Sequence, residues 1–157
     1  MTPAIELLQK LGITHRVIEY DHDPSNISYG DEAVAATGVD ATAVFKTLMV
    51  ELDDGSMAVG VVPVAARLDL KAIAAAAHSK RATMADPSRA ERRSGYVTGG
   101  ISPFGQKHQC PVFVDEWATA LDFVYCSGGR RGLEIEVSPD AFTDVLDAEF
   151  APIASWP

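Results

Sequence analysis

Only two of the 157 residues are cysteine, Cys110 and Cys126, and their spacing forms no CxxC redox or zinc motif. They read as two buried thiols or one disulfide, in a chain adapted to a reducing cytosol. No apolar run approaches the length of a membrane span; the longest small-apolar stretch, Ala72 to Ala77, is far too short. The opening Met1-Thr2-Pro3-Ala4-Ile5-Glu6 lacks the basic and apolar regions of a secretory signal, so a cytoplasmic protein without membrane contact is expected. Basic residues are also in deficit. The net charge is −9 and the pI about 4.7, which argues against a stand-alone, high-affinity nucleic-acid binder.

Familiar catalytic signatures are missing too. The chain has no HExxH, EF-hand loop, GxxxxGK[ST] or GxSxG, and its histidines (His15, His22, His78, His108) are scattered. His22 between Asp21 and Asp23 suggests a metal ligand or, better, a solvated loop histidine. Neither a metal nor a cofactor is expected. Asp53-Asp54 is explained by a turn, and conventional paired-carboxylate or triad hydrolysis finds no residues.

What is present folds as one domain over 1–157, since no repeat, low-complexity tract or linker divides the chain. Thr2-Pro3 begins a helix that Gly12 ends. Thr14 to Tyr20 reads as a strand, and Asp31 as the cap of a helix ending at Gly38. Val44–Leu52 and Met57–Val62 flank Asp53-Asp54-Gly55 as a β-hairpin. Asp69 and Asp86-Pro87 each start a helix. Strands are expected over Val112–Val114, Phe123–Ser127 and Leu133–Val137, with Gly128 to Gly132 as the turn between the last two. Ser138-Pro139 starts a final helix. Hairpins without strict βαβ alternation predict an α+β fold with a mixed or mainly antiparallel sheet.

Two features suggest a site. Lys46 sits within the apolar strand Phe45-Lys46-Thr47-Leu48-Met49-Val50, either on a solvent face or as a cation lining a cleft for a phosphate or oxyanion. Gly99-Gly100-Ile101-Ser102-Pro103 is either a plain loop or a place where backbone N–H groups approach a ligand. Lys80, Arg81, Arg92, Arg93, Arg130 and Arg131 read mostly as solvated faces.

Several segments, in order and spanning nearly the whole chain, resemble the YbaK family of Cys-tRNA(Pro) deacylases, relatives of the editing domain inserted into some prolyl-tRNA synthetases. They are Met1-Thr2-Pro3-Ala4, Tyr20-Asp21-His22-Asp23-Pro24, Gly30-Asp31-Glu32-Ala33, Phe45-Lys46-Thr47-Leu48, Met84-Ala85-Asp86, Gly95-Tyr96-Val97-Thr98-Gly99-Gly100-Ile101-Ser102-Pro103 and Ser127-Gly128-Gly129-Arg130-Arg131-Gly132-Leu133. The resemblance implies a curved, barrel-like sheet with flanking helices. It implies Lys46, Gly99 and Gly100 as catalytic residues, and Tyr20, Tyr29, Ile101, Ser102, Pro103, Ser127 and Glu134 as substrate-binding ones. Tyr29 stands where relatives often carry phenylalanine, and Glu134 where only some carry an acid.

It further implies that the acceptor end of mischarged tRNA(Pro) is the substrate. The cysteinyl thiol would attack its own ester carbonyl, with prolyl-tRNA synthetase supplying tRNA identity in a transient ternary complex. Rival readings are a water-dependent alanine editor and a non-catalytic module binding an aminoacyl or nucleotide end.

Overall fold

A computed structural model describes residues 1–157. Local chemistry accounts for most element ends. α1 (Pro3–Lys10) has Thr2 at its N-cap, whose hydroxyl accepts from the Ile5 N–H, and Pro3 in its first turn. β1 (His15–Glu19) follows. α2 (Tyr29–Thr37) begins two residues before Asp31, so Asp31 is a first-turn acid favoured by the helix dipole rather than the cap. Ser28 holds the cap position without a side-chain hydrogen bond, and Gly38 closes the helix in the left-handed conformation.

β2 (Phe45–Leu52) and β3 (Met57–Pro63) form the hairpin around the Asp53–Ser56 turn. The short β4 (Arg67–Leu68) leads to α3 (Leu70–Ala76), capped by Asp69, and then to β5 (Ala82–Met84). α4 (Pro87–Ser94) is capped by Asp86. β6 (Val112–Asp115) is followed by a 3₁₀ turn, Glu116–Ala120. β7 (Val124–Arg130) and β8 (Leu133–Val137) form a second hairpin. The turn between them is shorter than the glycine-rich sequence suggests. β7 continues through Gly128 and Gly129 to Arg130, with a bulge after Ser127. α5 (Asp140–Leu146), β9 (Glu149–Ala151) and β10 (Ala154–Ser155) complete the chain.

The strands form a five-stranded sheet ordered β5-β2-β3-β6-β9, a three-stranded sheet β1-β8-β7, and the small pair β10-β4. β3–β6 and β6–β9 are parallel and the other pairs antiparallel, which makes an α+β fold with five α-helices and mixed sheets. The two larger sheets meet at a single bridge, Val44 to Tyr125. They do not close, so the barrel-like shape stops short of a barrel.

β3 is buried along its whole length because apolar clusters cover both faces of the large sheet. One cluster gathers Phe45, Met49, Val59, Val61, Phe104 and Phe142. The other gathers Val50, Val62, Ile73 and Ile153. Cys110 and Cys126 are free buried thiols packed as small apolar groups. Asp115, only 3% exposed, accepts from the backbone N–H groups of Trp117 (3.0 Å), Ile153 (3.1 Å) and Ala154 (2.9 Å). A buried acid satisfied three times over fixes the C-terminal segment against β6.

Candidate active site

β5 pairs β2 only at Val50–Leu52, and β7 meets β2 only at its entry, through Val44. Between these two contacts the edge of β2 has no neighbouring strand. A cavity of about 280 Å³ opens there, and consecutive residues from Val44 to Met49 line it because the strand presents its edge rather than one face. The Ala85 N–H reaches the Met49 carbonyl at 3.0 Å, which shows where the alternate peptide groups point. By the two-residue repeat, the peptide groups of Thr47 face the gap. The Thr47 hydroxyl is buried without a partner and the residue lines the cavity.

Lys46 is half-buried in this gap and makes no ion pair. Burial lowers its pKa below the ordinary lysine value, Asp31 partly offsets that, and Arg67 adds to the lowering. Alternation along the joined sheets puts further polar groups on its face. Val44 bridges Tyr125, Lys46 lies two residues on from Val44, Ser127 two on from Tyr125, and Glu134 pairs with Ser127. In β1, Ile18 pairs with Glu134, and Tyr20 follows two residues later, its N–H donating to the Gly132 carbonyl at 2.9 Å. Burial above all, then Glu134 and Glu32, pushes the Tyr20 phenol up to about 12. Glu134 is 6% exposed, and burial pushes its carboxyl up to about 8.

The glycine loop closes the opposite wall. Glu91 accepts the Thr98 N–H at 2.7 Å, Arg131 Nε donates to the Thr98 carbonyl at 2.9 Å, and the Tyr96 hydroxyl donates to the Phe104 carbonyl at 2.6 Å. The Arg131 guanidinium also stacks 4.8 Å from the centre of the Tyr29 ring. Gly99 has φ +84°, and a Cβ there would come within 2.7 Å of that ring. At Gly100 a Cβ would lie 2.7 Å from the Arg130 Cα. Both glycines are therefore required by close packing between Tyr29 and the β7–β8 turn.

The cavity brings together Lys46, Tyr20, Tyr29, Gly99, Ile101, Ser127 and Glu134. Gly100, Ser102 and Pro103 are not part of its lining. Gly100 is buried and its N–H is taken by the Val97 carbonyl at 2.8 Å, so it is not available to an oxyanion. Ser102 is fully buried, where its hydroxyl accepts the Phe104 N–H and its carbonyl accepts from Gln106. Pro103 is likewise buried. These three shape the loop from behind. Gly99 and Ile101 line the cavity, and their N–H groups meet no protein acceptor.

Arg130, read from the sequence among the basic residues of mostly solvated faces, lines the cavity, as do Thr47 and Thr98, which no sequence signal sets apart within their segments. His22 is neither solvated nor in a metal cluster. Its Nδ1 lies 2.6 Å from Glu32, tying the Asp21–Ser28 loop to α2. No three His, Cys, Asp or Glu side chains gather into a metal-binding group, and no helix is long and apolar enough to cross a membrane.

Known proteins share this architecture. A hypothetical protein of known crystal structure superposes with TM-score 0.86 at 24% identity, over 98% of this chain and 99% of that one. The crystal structure of a candidate trans-editing enzyme for prolyl tRNA synthetase superposes with TM-score 0.84 at 21% identity, over 98% and 95%. In sequence, a candidate Cys-tRNA(Pro)/Cys-tRNA(Cys) deacylase, EbsC, of Enterococcus faecalis is 29% identical over 154 residues, 98% of this chain and 93% of that protein. The family model described as the aminoacyl-tRNA editing domain matches residues 25–145, more than three quarters of the chain and the part that carries Tyr29, Lys46, the glycine loop and Glu134. By that match the chain belongs to the aminoacyl-tRNA editing domain family.

Proposed function

We propose that this aminoacyl-tRNA deacylase removes cysteine mischarged onto proline tRNA, acting in trans in the cytoplasm, with the cysteinyl thiol attacking its own ester carbonyl. The observation that carries the mechanism is the lining of the cavity. It holds an unpaired Lys46 and the free N–H groups of Gly99 and Ile101, but no histidine and no cysteine to form a base–nucleophile pair. Such a site holds a reactive conformer and stabilises charge on the carbonyl or departing ribose oxygen.

In this reading Lys46 and Gly99 act on the ester, and Gly100 acts only by shaping the loop. Tyr20, Tyr29, Ile101, Ser127 and Glu134 contact the aminoacyl end, while Ser102 and Pro103 brace the loop. A cavity of about 280 Å³ suits a small acyl group and a terminal nucleoside edge rather than a long RNA track. With a net charge of −9, tRNA identity is supplied by prolyl-tRNA synthetase in a transient ternary complex.

A deacylation panel with Cys-, Ala-, Ser- and Pro-tRNA(Pro) tests this. The cysteinyl ester should be cleared fastest and the seryl ester far more slowly, because a hydroxyl is much less acidic than a thiol. Cys110→Ala and Cys126→Ala should retain activity, since both thiols are buried outside the cavity. Equal clearance of the alanyl ester would make water the nucleophile.

A further inference from the structure

Glu134 carries the only carboxyl among the cavity-lining residues. Although its side chain is almost wholly buried, it takes part in no hydrogen bond or ion pair within the chain, and its oxygens are not sealed from the cavity. The contrast with Asp115 is informative: where an acid is buried for structure alone, this fold gives it three backbone donors. A buried acid left without donors, facing a binding cavity, is set to receive them from a ligand.

The chemistry of an aminoacyl ester says which group that is. Its carbonyl and ribose oxygens accept hydrogen bonds, and the cavity meets them with donors: Lys46, Arg130 and the Gly99 and Ile101 N–H groups. Its α-amine is its one cationic, donor-rich group, and Glu134 is the one acidic acceptor. We propose that Glu134 receives the α-ammonium group of the aminoacyl ester, so that the cleft accepts esters with a free amine and refuses those whose amine is acylated. This assignment rests on the aminoacyl-ester reading of the cavity.

The protonation of the acid supports it. With its carboxyl pushed up to about 8, Glu134 is mostly neutral at pH 7, so the free protein avoids a lone buried charge. An arriving ammonium reverses the balance. The carboxyl gives up its proton to solvent, and an ion pair forms where water is largely excluded. An N-acyl amide has no charge to offer and adds bulk at the same point.

The experiment compares cysteinyl-tRNA with N-acetyl-cysteinyl-tRNA as substrates. It also measures calorimetric binding of the matching non-hydrolysable 3′-amido adenosine analogues, with free and acetylated amine, in two buffers of different ionisation enthalpy. Wild type should prefer the free amine by more than about 100-fold in kcat/KM. It should release close to one proton on binding the free-amine analogue at pH 7. Glu134→Gln should lose most of that preference through weaker use of the free-amine substrate, and should lose the proton release.

Equal use of both substrates by wild type, with turnover intact, overturns the amine assignment while leaving the editing reading standing. So does an unchanged preference in Glu134→Gln. Loss of turnover in that variant with the amine preference preserved would make Glu134 a base for the thiol instead. If wild type neither binds nor turns over any of these compounds, the editing reading fails, and the proposal with it.

Discussion

Replacing Glu134 with glutamine should change the pH dependence of folding in a direction that the structure dictates. Glutamine has the shape of the protonated acid but cannot ionise, so wild type and variant should be about equally stable near pH 4.5, where the carboxyl is neutral in the folded chain. In the folded protein burial moves that carboxyl from 4.5 to about 8. A group whose folded pKa is raised contributes stability that is fully present below the unfolded value and is lost as pH rises through the folded value. The loss should therefore run between about pH 4.5 and 8, at about 1.4 kcal/mol per pH unit, and level off near 5 kcal/mol. That figure is an upper bound, because the cavity admits water to the ionised group.

The assay is urea denaturation of both proteins from pH 5 to 9, read as the difference between them. Subtraction removes the other carboxylates, such as Asp23, Glu32 and Glu136. Their pKa values are lowered by hydrogen bonds to the ionised form, so their contributions are lost toward acid instead. The variant should gain on wild type steadily to about pH 8. A difference that stays flat from pH 5 to 9 would refute the burial of an unpartnered acid on which the reasoning depends.

Other outcomes follow from single contacts. Lys46→Met should lower kcat/KM by about 100-fold or more while changing stability by less than about 1 kcal/mol, because the ammonium is half-buried and unpaired; activity assays beside thermal melts separate the two. Gly100→Ala should cost about 1–3 kcal/mol and weaken activity, since the added methyl meets the Arg130–Arg131 backbone rather than a yielding side chain; an unchanged melting temperature would contradict the clamp. Asp115→Ala should destabilise by about 1–3 kcal/mol by removing the side-chain acceptor of the Trp117 and Ala154 N–H groups, while Ile153 keeps the Ala151 carbonyl, and hydrogen exchange should report faster opening at Ala154.

Much of the local architecture was legible in the sequence because its causes are local. Thr2, Asp69 and Asp86 cap helices through hydrogen bonds spanning two or three residues, and the Asp54-Gly55 turn sets the β2–β3 register. The start of α2 and the length of β7 were not legible. The first lacks a side-chain cap, and in the second a bulge carries Gly128 and Gly129 into the strand. The parallel β3–β6 and β6–β9 pairs, like β1 against β8, join residues far apart in the chain, where no short-range pattern operates.

The site divides the same way. The order of its segments placed Lys46 and the glycine loop among the residues of interest, but neither side of that choice could be weighed from the strand pattern. A lysine in an apolar strand faces solvent or a cleft according to whether another strand sits beside it, and here β5 stops at Val50 and leaves the gap. Gly99 and Gly100 differ only in tertiary context: one lines the cavity with its N–H unpaired, while the other lies outside the lining and spends its N–H on Val97. Glu134 is one acid among 22 in the chain. The resemblance put it among the substrate-binding residues, but its burial without a partner was not legible, because those are properties of everything packed around a side chain, and only the folded chain brings those neighbours together.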